Sequence, residues 1–192
     1  MLTSDIVAKL LKCKVHPPST AAPPAEHGFY AWWCRTECLI QAVPPIPWEH
    51  RPPVSARWSL LYVGISPSGP NTSRNIAIRF TKDHTGGNIG SSTFRQSVAS
   101  LYLQALELQP RIGSDRTRLI SETRLSQWIE ASCGVTFAAA DRPWDKEAEI
   151  ISLLNPPLNL DHKGTHTFRF EVRARRAALA RACKLKTCVE VR

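Results

Sequence analysis

The chain has 192 residues, 43% hydrophobic and 8% aromatic, which is enough for one domain with its own core and too apolar for a disordered chain. Lysine and arginine number 25 against 16 aspartates and glutamates, a formal charge of +9 that points to a polyanionic partner, nucleic acid first and a membrane surface second. No apolar run approaches the roughly 18 residues that cross a bilayer, and the opening MLTSDIVAKL carries an acid. Neither a membrane span nor a secretory signal is expected, and the expected location is cytoplasmic.

In chain order, Thr3 to Lys12 has helical spacing, with Ile6, Val7, Leu10 and Leu11 on one stripe and Thr3 or Ser4 as cap. The run HPPSTAAPPAEH breaks it. Bulky, β-prone residues in GFYAWW (28–33) and LLYVGIS (60–66) predict two strands of one sheet. Between them, IQAVPPIPWEHRPPVSARW has too many prolines for a long helix or a central strand and reads as a surface loop. SRNIAIRFTKDH predicts a short helix opened by Asn71 or Ser73, and after the connector TGGNIG a second helix follows over 91–106. SETRLSQWIEAS is a third helix with an imperfect capping box, VTFAAA a third strand, and a further helix starts near Pro143 and stops at Asn155-Pro156-Pro157. This order does not alternate as a doubly wound sheet does. It predicts an α+β fold, a small, mostly antiparallel three-stranded sheet flanked by helices.

The expected organisation is an N-terminal helix and proline-rich lead-in over 1–26, a central domain over 27–162 with a proline-rich insertion at about 40–57, and a basic helix or arm over 163–192. That last segment holds nine basic and two acidic residues, so +7 of the net +9 lies there. It reads either as a solvated terminal helix or as a clamp on phosphates. The six cysteines form no CxxC pair, so reduced structural thiols are expected, with a zinc site as the alternative.

Three polar residues stand out by position. On a helical projection of 144–154, Glu147 falls among Trp144, Ile150, Ile151 and Leu154, whereas Asp145, Glu149 and Ser152 fall opposite. A carboxylate on an apolar face needs a cation, a donor or a metal ion, so Glu147 is either half of a structural ion pair or a functional ligand. Arg79 lies near the inward side of its helix, with Asp83 four residues on as a neutralising partner. His84 is placed to cap carbonyls, to carry a proton, or simply to be exposed. Ser92 and Arg95 open the helix after the glycine connector, where amides and a guanidinium suit a neighbouring phosphate.

Taken together, Gly28-Phe29-Tyr30, Tyr62-Val63-Gly64, Arg79 and Glu147, with Ile150-Ile151, Pro156 and Asn159 following in order, resemble the GIY-YIG nuclease superfamily. The resemblance runs from about Gly28 to Asn159. It departs from the family pattern in the long gap between the strand motifs and in Phe29 and Val63, which are conservative on a buried strand. It implies phosphodiester hydrolysis in nucleic acid, usually DNA, with one divalent cation, Mg²⁺ or Mn²⁺, held by Glu147 through oxygen. It further implies that Arg79 grips phosphate oxygens and that Tyr30, helped by Tyr62 or His84, activates or orients water. Gly64 then allows close approach of the backbone or of DNA and Asn159 braces the site by hydrogen bonding, the alternatives being a turn glycine and a helix-terminating asparagine. Two other readings remain: a binding module of the same fold without cleavage, and a protein- or membrane-surface domain using the basic tail. The oligomeric state is not legible.

Overall fold

A computed structural model describes residues 2–47, 57–114, 116–161 and 167–184. Its elements are α1 (Thr3–Lys12), β1 (Gly28–Arg35), β2 (Trp58–Ser66), α2 (Ile76–Arg79), α3 (Thr93–Leu101), α4 (Thr123–Ser132), β3 (Cys133–Ala139), α5 (Glu147–Leu154) and α6 (Phe168–Lys184). The strands form one antiparallel sheet in the order β2-β1-β3. The fold is α+β, as the order of elements predicts.

β1 is the central strand, and side chains alternate across it. Tyr30, Trp32 and Cys34 enter a large core with residues of α3, α4 and α6, whereas Phe29, Ala31 and Trp33 enter a second core with Ile6 and Leu10 of α1 and Ile150, Ile151 and Leu154 of α5. Helices therefore cover both faces. This is why GFYAWW reads as a continuous apolar run instead of an alternation of apolar and polar residues. In the first core Trp32 stacks on Phe94 at 4.4 Å and on Phe80 at 5.6 Å between ring centroids. In the second, the Trp33 indole donates to Thr136 Oγ1 (3.0 Å), whose hydroxyl donates to the Leu10 carbonyl (2.9 Å), tying α1 to the sheet.

Gly28 has φ +152°, and a Cβ there would come within 2.9 Å of Ala139 Cα and Ala140 N. Only glycine lets β1 begin this close to the end of β3. On the other side, the β1–β2 register shifts between Trp32 and Trp33, leaving Leu61 without an opposite residue. The outer edge of β2 is closed by the chain after α5: Leu158 N donates to Leu61 O (3.0 Å), Asn159 Oδ1 accepts from Val63 N (2.9 Å), and Asn159 Nδ2 donates to Val63 O (2.7 Å). A side-chain amide thus replaces a neighbouring strand at the outer sheet edge and buries it.

Several sequence expectations are corrected. The cap of α2 is Asn75, whose side chain accepts from Ile78 N at 2.9 Å, not Asn71 or Ser73. α1 has no side-chain cap; Thr3 instead donates to Glu149 of α5 at 2.8 Å. α3 ends at Leu101 rather than 106. Residues Pro143–Asp145 form a separate 3₁₀ turn before α5, so Trp144 does not share the helical phase of Glu147. Part of the proline-rich insertion is not surface, because Ala42 and Ile46 enter the main core; its residues 48–56 lie outside the described residues.

The segment expected as a basic helix or arm contains α6, which packs against α3 and buries Val172, Leu179 and Cys183. Lys163, Lys186, Cys188 and Arg192 lie outside the described residues. The five described cysteines are free thiols. Cys34 faces Cys133 across β1 and β3, and its thiol pKa is pushed up, first by a hydrogen bond with Cys133. Among the described residues no helix is long and apolar enough to cross a membrane.

The Asn159 clamp gives a direct stability test. Asn159→Ala strands the buried Val63 amide and carbonyl and should cost about 1–3 kcal/mol in urea denaturation; a variant as stable as the wild type would remove the clamp from the account of β2.

Candidate active site

Tyr30 on β1 and Tyr62 on β2 project from the same face of the sheet, with ring centroids 6.4 Å apart. They line a cleft of about 310 Å³ together with Arg74, Arg79 and Glu147, closed at one side by Ile65 to Ser68 and Thr72. Gly64 sits directly opposite Tyr30 in the β1–β2 register. A Cβ at Gly64 would lie 2.7 Å from Tyr30 Cε2 and closer still to Cζ and the hydroxyl. The close approach expected at Gly64 is of backbone or DNA; the group that lies against it is the Tyr30 ring.

Arg79 closes α2, after which the backbone opens into a wider π-type turn over Phe80–Thr85, with Gly86 N bonded to Thr81 O at 2.8 Å. Such local widening recurs at functional sites. Arg79 Nε donates to the Tyr30 hydroxyl at 3.4 Å and Nη1 to Asp83 Oδ2 at 2.7 Å; among the described residues its Nη2 has no partner. Asp83 is thus the neutralising partner read from the sequence. The same Oδ2 also accepts from Arg74 Nη2 at 2.8 Å, so one carboxylate holds two guanidinium groups at the cleft wall. Burial disfavours the charge on Arg79, but Tyr30 and Asp83 outweigh it and leave its pKa raised. The group is a permanent cation.

Glu147 is half-buried at the first turn of α5 and lines the cleft. A helix N-terminus suits its negative charge. Its field reaches both phenols and raises their pKa values, although burial is the larger cause in each. Tyr30 and Tyr62 are therefore protonated at neutral pH. Tyr62 Oη is bonded to Thr93 Oγ1 at 3.0 Å. The Tyr30 hydroxyl, accepting from Arg79, keeps its own proton to donate.

The other sequence-predicted residues take different places. His84 is fully buried behind Tyr30, 4.9 Å between ring centroids, and is also edge-on to Trp32 and Phe94. It does not line the cleft. Its Nδ1 lies 2.8 Å from Ser92 Oγ, which already accepts from Arg95 N. Among the described residues Nε2, also buried, has no hydrogen-bond partner. Burial first, then Arg79, Arg95 and Arg74, hold the His84 pKa well below its ordinary value. This burial rules out an exposed residue, and among the described residues neither ring nitrogen is bonded to a carbonyl.

Ser92 and Arg95 do not form the phosphate seat expected of them. Each is 1% exposed. Ser92 caps α3, and Arg95 donates to His84 O (3.0 Å), Glu122 Oε2 (2.8 Å) and Ser126 Oγ (2.9 Å). Its charge is spent on joining α3 to the start of α4. Gly28 and Asn159 are structural, acting through the ends of β1 and the edge of β2 as described above.

Arg74 is the cleft residue that sequence reading missed. It lies in the irregular stretch before α2, where no periodicity singles it out; its only signal was proximity to a helix carrying Arg79.

A tyrosine pair beside a permanently charged guanidinium and one carboxylate suits handling of a phosphate ester. Comparison with known families matches residues 28–178 to the GIY-YIG catalytic domain. The chain belongs to this family, which is nuclease-type. No curated protein and no solved structure matches the chain.

The buried imidazole makes a pH prediction. A histidine whose folded pKa is depressed contributes stability that is complete above its unfolded value of about 6.5 and is lost as pH falls below it, because only the unfolded chain then takes up the proton. Chemical denaturation from about pH 7 to 5 should show wild-type stability falling more steeply than that of His84→Gln, by up to about 1.4 kcal/mol per pH unit. Parallel slopes would show that His84 titrates alike in both states.

Proposed function

We propose that this protein is a metal-dependent endonuclease that hydrolyses phosphodiester bonds in DNA. The observation that carries the reading is the meeting of Arg79, Glu147, Tyr30 and Tyr62 in one cleft, each supplied by a different element. Membership of a nuclease-type family supports it.

The residues present fit a hard divalent cation. Among the described residues no group of three His, Cys, Asp or Glu side chains could hold a metal, but Mg²⁺ binds through one or two carboxylates, with waters and substrate oxygens filling the remaining positions. Glu147, beside the hydroxyl-lined wall of the cleft, would hold Mg²⁺ or Mn²⁺. When bound, such an ion stabilises charge on the leaving oxygen and lowers the pKa of nearby water and phenol.

The chain's own groups do the rest. A phosphodiester arrives with one negative charge and gains more as water attacks. Arg79, held in place through Nε and Nη1, presents its remaining N–H groups to the non-bridging oxygens, which they bind more strongly as that charge grows. Tyr30 orients the attacking water through its hydroxyl, which Arg79 in turn polarises. With its pKa raised by burial, Tyr30 acts as a positioning donor rather than as a free base. Tyr62, steadied by Thr93, occupies the opposite side of the water. His84 supports the Tyr30 ring from behind. The cytoplasm is the proposed location.

Nicking of supercoiled plasmid and cleavage of labelled oligonucleotides with Mg²⁺ or Mn²⁺ test the reading. Cutting should disappear in EDTA and in Glu147→Ala, and Arg79→Ala should slow it by about 10²–10³. Binding without cutting under either metal would leave a non-cleaving module of the same fold.

A further inference from the structure

Two arginines outside the catalytic set stand at opposite ends of the tyrosine pair. Arg74 is 43% exposed along its side chain, lines the cleft, and is tied to Arg79 through Asp83. On the other side, Tyr62 leads through Thr93 to α3. One turn further along α3, Gln96 Oε1 accepts from Arg176 Nη2 of α6. Arg176 is half-buried, and among the described residues its side chain is held by this neutral amide; no carboxylate forms an ion pair with it, and Asp161 acts on it through its field alone, against the like charge of Arg173. It is close enough to Tyr62 to stabilise the phenolate form. A guanidinium half-removed from water beside an amide, when surface carboxylates would have served it better, is suited to an anion that arrives from outside.

We propose that Arg74 and Arg176 hold the phosphates on either side of the one that is cut, so that the nucleic-acid backbone runs from the α2 side of the cleft across Tyr30 and Tyr62 to α6. The proposal rests on the nuclease reading and adds the direction of the substrate to it. Asp83 cancels half of the charge of the Arg74–Arg79 pair and fixes both forks. Gln96 fixes Arg176 without cancelling any charge. The basic character of α6 then has a specific outlet at Arg176, and the packing of α6 on α3 is what brings that arginine near Tyr62, beyond the residues that line the cleft itself.

The test uses the full chain carrying Glu147→Gln, which cannot cut, with a labelled duplex oligonucleotide titrated over a range of salt. Arg74→Gln and Arg176→Gln each keep a hydrogen-bonding amide in place while removing the charge, and Arg124→Gln, remote from the cleft and paired with Glu107, serves as control. Each of the first two should lower the steepness of log K against log salt by about 0.9, the value for one released phosphate contact, with the melting temperature retained and the control unchanged. An unchanged slope for either variant in protein that still binds overturns the two-sided path. Absence of binding by the Glu147→Gln protein at every salt concentration overturns the nucleic-acid reading beneath it.

Discussion

The Tyr30 ring lies against Gly64 on the neighbouring strand, and the cleft depends on that contact. A side chain at position 64 would occupy the space of the ring, so the phenol can rest flat on the sheet only because the opposite residue has no Cβ. From there the hydroxyl reaches Arg79 on one side and the ring faces Tyr62 on the other. The placing of Tyr30 is thus a backbone property of two strands, and it is as rigid as the sheet. The sheet itself is pinned by Gly28 at the start of β1 and by Asn159 along the edge of β2.

Around this centre, charge is divided between buried and exposed roles by pairing. Arg95 and Arg79 leave similar helical segments, yet Arg95 is enclosed by His84, Glu122 and Ser126 and serves packing, while Arg79 shares Asp83 with Arg74 and keeps part of its fork in the cleft. Burying a guanidinium costs less the more of its donors are met, and among the described residues Arg95 leaves only Nε without a partner. Arg95 has its terminal nitrogens met by protein. Among the described residues Arg79 Nη2 has no partner, and Arg79 lines the cleft. Related physics keeps His84 neutral: burial among aromatic rings, and then the charges of Arg79, Arg95 and Arg74, disfavour a positive charge on the imidazole behind Tyr30.

Much of the site was legible in residue type and spacing. The two strand motifs marked Tyr30 and Tyr62, whose common face follows from the β1–β2 register, and the inward position of Arg79 marked it as a cation that needed a reason. Glu147 was reached by a projection that included Trp144, which belongs to a separate turn; Ile150, Ile151 and Leu154 carried the inference because they share α5 with it. Arg95 was misread because its partner Glu122 is 27 residues away, beyond any local pattern. Arg74 and Arg176 gave no periodic signal, since one precedes its helix and the other is one of many arginines on α6.

The sequence by itself determined the strands, the α+β order, and the residue types at the cleft, because hydrophobic periodicity, glycine and proline act over a few residues. Which cations face solvent was decided by the tertiary structure. So were the wrapping of both sheet faces, the contact between Tyr30 and Gly64, and the sharing of Asp83 by two arginines. Each of these joins elements whose separation along the chain is set by loops, and pairing and desolvation energies depend on distances that exist only after those elements have packed.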